Sequence, residues 1–486
     1  TITPANLVQF DNAFRSFFGS VNYDYKKKYY LTGSFRRDGY SGLSAGNKYG
    51  NFGGASAGWA LSEENFYKES GISKILTRVK IRGSYGEVGN INIGNYPALY
   101  LYSPGLYGSD AALSFNQAGN PNLTWETSKK ADVGVNLEFL GGRFSLDVDY
   151  YHNNIDNLVQ NAPQAPSKGI PGNTITTNVG RMYNKGFEFA INSRNIENDD
   201  FSWSTSFTLS TLKNEVTALG NNNADLFGVT QLETANITRV GYPIGSIYTV
   251  PTAGVDPATG ERIFVNRFGQ KLRFSFQRAA AARYQYLDGP NAGQNAPAID
   301  AALDATITGQ AIPKWFGGLD NNFRYKAFDL VLGLTFSGGN KVYYGSLAGL
   351  RDQRFWNNEA GMMDRWTTPG QVTDIPRVVY NDNVSNGSAF AQSQNVFSGN
   401  FLKVRNLALG YTLPKPFLNK YGISNVRVYA QSSNLWIISN YPGPDPEVSV
   451  NGNSTAAGNS GSLAPGVDRN SVPSARTFTF GINVGF

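Results

Sequence analysis

The sequence contains no cysteine. Disulfides, thiolate catalysis and cysteine-ligated zinc are therefore excluded. It has a single histidine, His152, which makes no metal site alone. Only 16% of its residues are charged, and the net charge of +6 is spread along the chain. Lys26-Lys27-Lys28 is the one basic triplet and reads as a solvated turn rather than a nucleic-acid contact. No stretch approaches the ~18 consecutive apolar residues of a membrane-crossing helix. That absence leaves strands free to cross, because a barrel hides its lipid face in alternation. The N-terminus, Thr1-Ile2-Thr3-Pro4, is no signal peptide.

What is present is aromatic and glycine-rich: 31 Phe, 27 Tyr and 54 Gly in 486 residues. The last ten residues, 477–486, set the pattern. Phe478, Phe480, Ile482, Val484 and Phe486 fall on one face, against Thr477, Thr479, Gly481, Asn483 and Gly485 on the other. That is period two without exception, over the ~9–11 residues a tilted strand needs to cross a bilayer. Phe478, Phe480 and the terminal Phe486 resemble the signal read by the outer-membrane assembly machinery of Gram-negative bacteria.

Alternating segments recur at 17–25, 29–37, 51–61, 78–85, 123–139, 143–152, 175–193, 201–212, 315–325, 328–336, 401–412 and 426–437. With the terminal one they make about 13 strands. Long connections fall near 38–50, 88–122, 156–174, 213–313, 338–397 and 438–474, and short ones separate them. A small strand is expected at 244–250, and a helical turn within 62–76. Strict alternation of long and short is the loop pattern of a transmembrane barrel. A connection of about 100 residues does not suit a compact soluble domain. The fold expected is all-β, a transmembrane antiparallel β-barrel. An odd count that begins and ends on a downward strand points to the C-terminal part of a larger barrel.

Catalytic readings fare poorly. Gly54-Ala55-Ser56-Ala57-Gly58 matches a nucleophile elbow, but strand flanks it on both sides and the lone histidine lies on another strand. Asp147 and Asp149 have a spacing any strand provides, so they read as lumen-facing acids. Asp256-Pro257-Ala258-Thr259-Gly260 reads as a turn, lacking the alternating oxygen ligands of a calcium loop. Trp59, Tyr150, Tyr151, Trp203 and Trp436 sit near strand ends and suit interface girdles. No enzyme, cofactor or nucleic-acid role is expected. One long loop gathers Tyr343, Tyr344, Arg351, Asp352, Arg354, Phe355, Trp356, Arg365 and Trp366. Aromatic faces flanked by charge suit a sugar or peptide ligand, or a protein lid.

Several short motifs occur in a fixed order. They are Arg36-Arg37-Asp38-Gly39, Ala55-Ser56-Ala57-Gly58-Trp59, Arg82-Gly83-Ser84-Tyr85-Gly86 and Asn120-Pro121-Asn122-Leu123 with Trp125-Glu126. Asn184-Lys185-Gly186, Ala253-Gly254-Val255-Asp256-Pro257, Arg365-Trp366-Thr367, Phe401-Leu402-Lys403-Val404-Arg405-Asn406-Leu407 and Asp445-Pro446-Glu447 follow. In this order the chain resembles the C-terminal half of a SusC/RagA-type TonB-dependent outer-membrane transporter. The resemblance implies a barrel of 22 strands plugged by an N-terminal domain that is not in this chain. It implies import of oligosaccharides, glycans or peptides, energised through the TonB complex by way of the N-terminal part. It also implies a SusD-like lipoprotein lid, multi-pass placement in outer-membrane lipid, and allows a dimer of transporter–lipoprotein pairs. The rivals are a passive or structural barrel component, a secreted lectin or hydrolase, and a siderophore receptor.

Overall fold

The computed structural model describes residues 11–91, 93, 96–229, 234–354, 356–418, 422–447 and 465–486. Phe355 and parts of the segments near 88–122, 213–313 and 438–474 lie outside the described residues. The chain divides into two compact units: the described residues of Thr1–Arg194 with Ser210–Ala224, and Asn195–Leu209 with Asp225–Phe486.

The first unit is built on an antiparallel meander of seven wall strands in chain order. These are β1 (Phe14–Tyr25), β2 (Tyr29–Tyr40), β3 (Tyr49–Ala60), β4 (Leu76–Asn90), β5 (Glu126–Phe139), β6 (Phe144–Pro163) and β7 (Thr174–Glu197). The register shows why the alternation matters. One lateral row across the sheet reads Tyr25, Tyr29, Trp59, Ile81, Val135, Val148, Phe189. The neighbouring row, on the other face, reads Asp24, Tyr30, Gly58, Arg82, Gly134, Asp149, Glu188. One face is thus apolar and the other, Tyr30 apart, charged or small, as a wall between lipid and a polar lumen requires. The apolar face is bare: Val21 is 71% exposed and Val133 58%.

The turns follow their residues. Lys26 and Lys27 both hold positive φ, 53° and 55°, in the tight three-residue turn between the paired Tyr25 and Tyr29. Asp24 Oδ1 accepts the Lys27 N–H at 2.8 Å and steadies it. The connection after β3 holds a short α-helix, Asn65–Lys68, between two 3₁₀ turns, Leu61–Glu63 and Gly71–Lys74. The segment near 156–174 is less loop than expected. β6 and β7 run on as a paired ribbon, 20 and 24 residues long, so strand reaches to Pro163 and resumes at Thr174. Both far exceed the ~9–11 residues of a membrane crossing, and the ribbon continues because pairing satisfies its backbone outside lipid. Beside it, Leu123 and Trp125 are buried with Tyr40, Leu43 and Phe52 in one apolar cluster.

The second unit carries six wall strands: β8 (Phe201–Thr211, mostly in this unit), β9 (Trp315–Tyr325), β10 (Phe328–Gly338), β11 (Phe401–Thr412), β12 (Asn425–Ser439) and β13 (Thr477–Gly485). Phe323, Leu330, Leu409, Ala430 and Phe480 form an apolar row. Among the described residues thirteen strands follow one another in sequential order, at the thirteen places the alternation marks, and a fourteenth, Lys213–Ala218, pairs with β7 off that path. The outer edges of β1 and β13 carry no partner strand among the described residues. No helix is long and apolar enough to cross a membrane, which says nothing of strands.

The long connections of this unit fold on their own. Leu226–Val229, Thr234–Thr238, Ser246–Thr249 and Thr306–Gly309 form one four-stranded sheet. Thr252–Val255, Arg262–Val265, Lys271–Phe274 and Tyr284–Tyr286 form another. Their shared core holds Ile237, Tyr248, Val250, Phe264, Leu272, Phe274 and Tyr284. The small strand expected at 244–250 is Ser246–Thr249.

Candidate functional site

The short strand Lys341–Tyr344 pairs with Val396–Ser398 and, in parallel, with Val467–Asp468. Strand alternation sends its two adjacent tyrosines opposite ways. Tyr343 is fully buried, packed with Ala235, Ile247, Ala391 and Val467. Tyr344 faces a cleft, its ring 6.4 Å from Phe397 and 5.3 Å from Tyr441. A helix, Gly345–Leu350, follows and delivers Arg351 to the same cleft. The cleft has a volume of roughly 740 Å³. Leu347, Ile375 and Phe397 give it apolar walls, and Arg262, Glu359, Asp364 and Asp374 add charge.

Charged groups in this region are held in place. Arg351 Nε donates to Glu359 Oε1 at 2.7 Å, and the Gly361 N–H donates to Glu359 Oε2 at 2.8 Å. Burial pushes the Glu359 carboxyl upward, but Arg351 and that N–H outweigh it and hold it below the usual range. Asp352 is buried and accepts from the Arg354 guanidinium, from Nε at 2.9 and 3.1 Å and from Nη2 at 2.7 Å. Burial raises Asp352 as well, and Arg354 again wins, leaving the carboxyl low. Burial raises the Tyr344 hydroxyl pKa, with Asp468 adding to it.

The structure brings Tyr344 and Arg351 to the cleft and leaves the other sequence candidates elsewhere. Tyr343 is core. Arg354 is turned onto Asp352. Trp356 is 59% exposed. Arg365 Nη1 donates to the Met362 carbonyl at 3.3 Å. Trp366 donates its indole N–H to the Pro257 carbonyl at 2.9 Å and lies flat against Gly260, where a Cβ would strike the ring. That fixes the Asp256 turn, in which Asp256 Oδ1 accepts the Ala258 N–H and Oδ2 the Thr259 hydroxyl.

Ser56 sits mid-strand opposite Ser84, and His152 Nε2 is bonded to Asn154 Oδ1 at 3.1 Å, so they form no dyad. Asp149 pairs with Arg82, and Asp147 accepts from Asn136, as lumen-face acids would. Two buried charges were not singled out by sequence reasoning. Arg262 is 2% exposed and lies at the cleft, but nothing in its neighbours marks it. Lys403 is buried against Asp445 and Glu447; two of the quoted motifs contain all three, yet nothing in the sequence pairs them. Among the described residues, no group of three His, Asp or Glu side chains is placed to hold a metal ion.

The wall and its folded loops define a class. The family described as "TonB dependent receptor-like, beta-barrel" matches residues 2–256, and the chain belongs to it. It is 33% identical over 480 residues to TonB-dependent receptor P3 of Formosa agariphila, covering 97% of this chain and 45% of that one. It is 28% identical over 496 residues to TonB-dependent receptor SusC of Bacteroides thetaiotaomicron, covering 98% and 44%. Its fold matches the RagAB peptide importer in the closed-closed state with a TM-score of 0.79 at 23% identity, covering 98% of this chain and 48% of that one. The chain therefore spans less than half the length of the curated relatives it matches. These matches agree with the SusC/RagA resemblance carried by the motifs.

Proposed function

We propose that the protein is an active outer-membrane importer of oligosaccharides, glycans or peptides. The observation that carries this is the wall itself, thirteen sequential strands with one apolar and one polar face, in a chain of the TonB-dependent family. The wall is taken as part of a 22-stranded barrel whose plug lies outside this chain. Energy reaches it through TonB, acting on the N-terminal part. A SusD-like lipoprotein covers the outer loops, and two such pairs can dimerise. SusC and RagAB among the similar proteins support this arrangement. The reading is non-enzymatic.

Of the loop candidates, Tyr344 and Arg351 are proposed as substrate contacts. Arg354, Trp356, Arg365 and Trp366 are proposed to shape the surface that meets substrate or lid, with Tyr343 supporting them from within. Phe478, Phe480 and Phe486 are proposed as the assembly signal.

Uptake of labelled oligosaccharide and peptide pools into cells, with and without a proton-gradient uncoupler, tests the proposal. Uptake lost on uncoupling is expected. Uptake indifferent to the gradient would instead favour a passive channel or scaffold.

A further inference from the structure

Arg262 is enclosed, at 2% exposure, and its guanidinium meets only backbone carbonyls. Nε donates to Ser385 O at 2.9 Å, Nη2 to Asp374 O at 2.8 Å and Nη1 to Gly254 O at 3.3 Å. Among the described residues no carboxylate lies within ion-pair distance of it. Carbonyl dipoles satisfy its N–H groups without cancelling its charge, and an uncompensated buried charge is costly. Burial, the nearby Arg351 contributing, lowers its pKa to about 9, against the partial offset of Asp374 and Asp382. It is still charged at neutral pH.

Arg351 stands at the same cleft with one carboxylate, Glu359, bound through Nε alone. Its two terminal nitrogens make no hydrogen bond among the described residues. Such a fork matches a carboxylate in two parallel bonds. Two guanidiniums thus line the cleft, and one acid of the lining, Glu359, is paired with Arg351. Two further acids line the same cleft. Asp364 and Asp374 are exposed and neither forms an ion pair among the described residues. Leu347 and Phe397 supply apolar wall to the cleft.

We propose that this cleft binds the end of a short peptide, its carboxylate on Arg351 in front of buried Arg262 and its cationic group toward Asp364 and Asp374. The proposal rests on the import reading and names its substrate class. A neutral sugar chain answers neither charge. A uronate answers the arginines and leaves the acids. The cleft volume suits a small ligand, within the ~300–1,000 Å³ usual for such sites.

The test is calorimetric binding to the purified full-length protein in detergent. The probes are an unblocked tripeptide, its C-terminal amide, its N-acetyl form, a neutral trisaccharide and a tri-uronate. The unblocked tripeptide is expected to bind. Amidation and Arg351→Gln should each weaken it about tenfold or more, the loss of a charge-assisted hydrogen bond, and together no further. N-acetylation and the double variant Asp364→Asn/Asp374→Asn should behave alike. Equal affinity for the amide overturns the proposal without any change to the protein, so a misfolded Arg351→Gln cannot shelter it. Tighter binding of tri-uronate or trisaccharide than of peptide also overturns it. Tripeptide binding without gradient-dependent uptake would sink the import reading and leave the site. Gradient-dependent peptide uptake indifferent to the C-terminal amide would do the reverse.

Discussion

Lys403 Nζ lies 3.1 Å from Asp445 Oδ2, and the two side chains are only 3% and 5% exposed. Lys403 belongs to wall strand β11, and Asp445 to the segment after β12. A second carboxylate, Glu447, also meets the lysine. The ammonium therefore pins a long connection to the wall.

Lys403→Met should release that connection. Removing one partner leaves Asp445 buried without its counter-charge, a loss of about 3–5 kcal/mol. Hydrogen exchange of the amides at 440–447 should speed up, and adding Asp445→Asn should restore part of the protection. Unchanged exchange in Lys403→Met would show that the pair does not hold the segment. Burial raises the Asp445 carboxyl, but the Glu447 N–H and Lys403 lower it further, so it ends below its usual range. The stabilisation is then complete above the ordinary carboxylate pKa and disappears as pH falls through the lowered value.

Glu64 should show the same sign more sharply. It accepts from the Tyr29 hydroxyl at 2.7 Å, Lys28 Nζ at 2.9 Å and the Trp59 indole at 3.2 Å. Those bonds, in that order of effect after Tyr29, hold its pKa near 2. It links the Lys26-Lys27-Lys28 turn to the next short connection. The link contributes above the ordinary carboxylate pKa of about 4 and is lost as pH falls through about 2. The acid titration of indole fluorescence should lose that component in Glu64→Gln. A titration identical in both proteins would refute the assignment.

Gly186→Ala should disturb the wall where Gly19→Ala does not. A Cβ on Gly186 would run into the Thr211 carbonyl, whereas one on Gly19 meets nothing within 4 Å. Forcing backbone apart in a packed sheet costs about 1–3 kcal/mol. The fraction of protein in the compact, heat-modifiable form on gels should fall for Gly186→Ala alone. Equal fractions would mean that the sheet gives way freely there.

Deleting Phe486 should reduce outer-membrane insertion several-fold and leave the loops unaffected. Phe486 is 92% exposed, Phe480 79% and Phe478 62%, so they pack little within this chain. Fractionation of outer membranes checks it. Normal insertion would count against the terminal strand as an assembly signal.

The wall was legible because its physics is local. Each strand shows its two environments in alternation, and Leu140-Gly141-Gly142 or Lys326-Ala327 mark the reversals, with positive φ at Leu140, Gly141, Gly142 and Lys326. Strand ends were less legible. β6 and β7 continue past the lipid-length pattern because pairing, not hydrophobicity, extends them. The loop candidates were legible only as composition. Nothing in Tyr343-Tyr344 says which ring is core and which lines a cleft; the partners Val396–Ser398 and Val467–Asp468 decide it.

By itself the sequence determined an all-β, two-faced wall of serial strands, because alternation and turn chemistry act between neighbours in the chain. Only the tertiary structure decided which charges are buried and what they face. Arg262 meets Ser385 and Asp374, and Lys403 meets Asp445, across separations that no local pattern encodes. Those encounters depend on how the long connections fold back, and desolvation then sets what each charge requires of its surroundings.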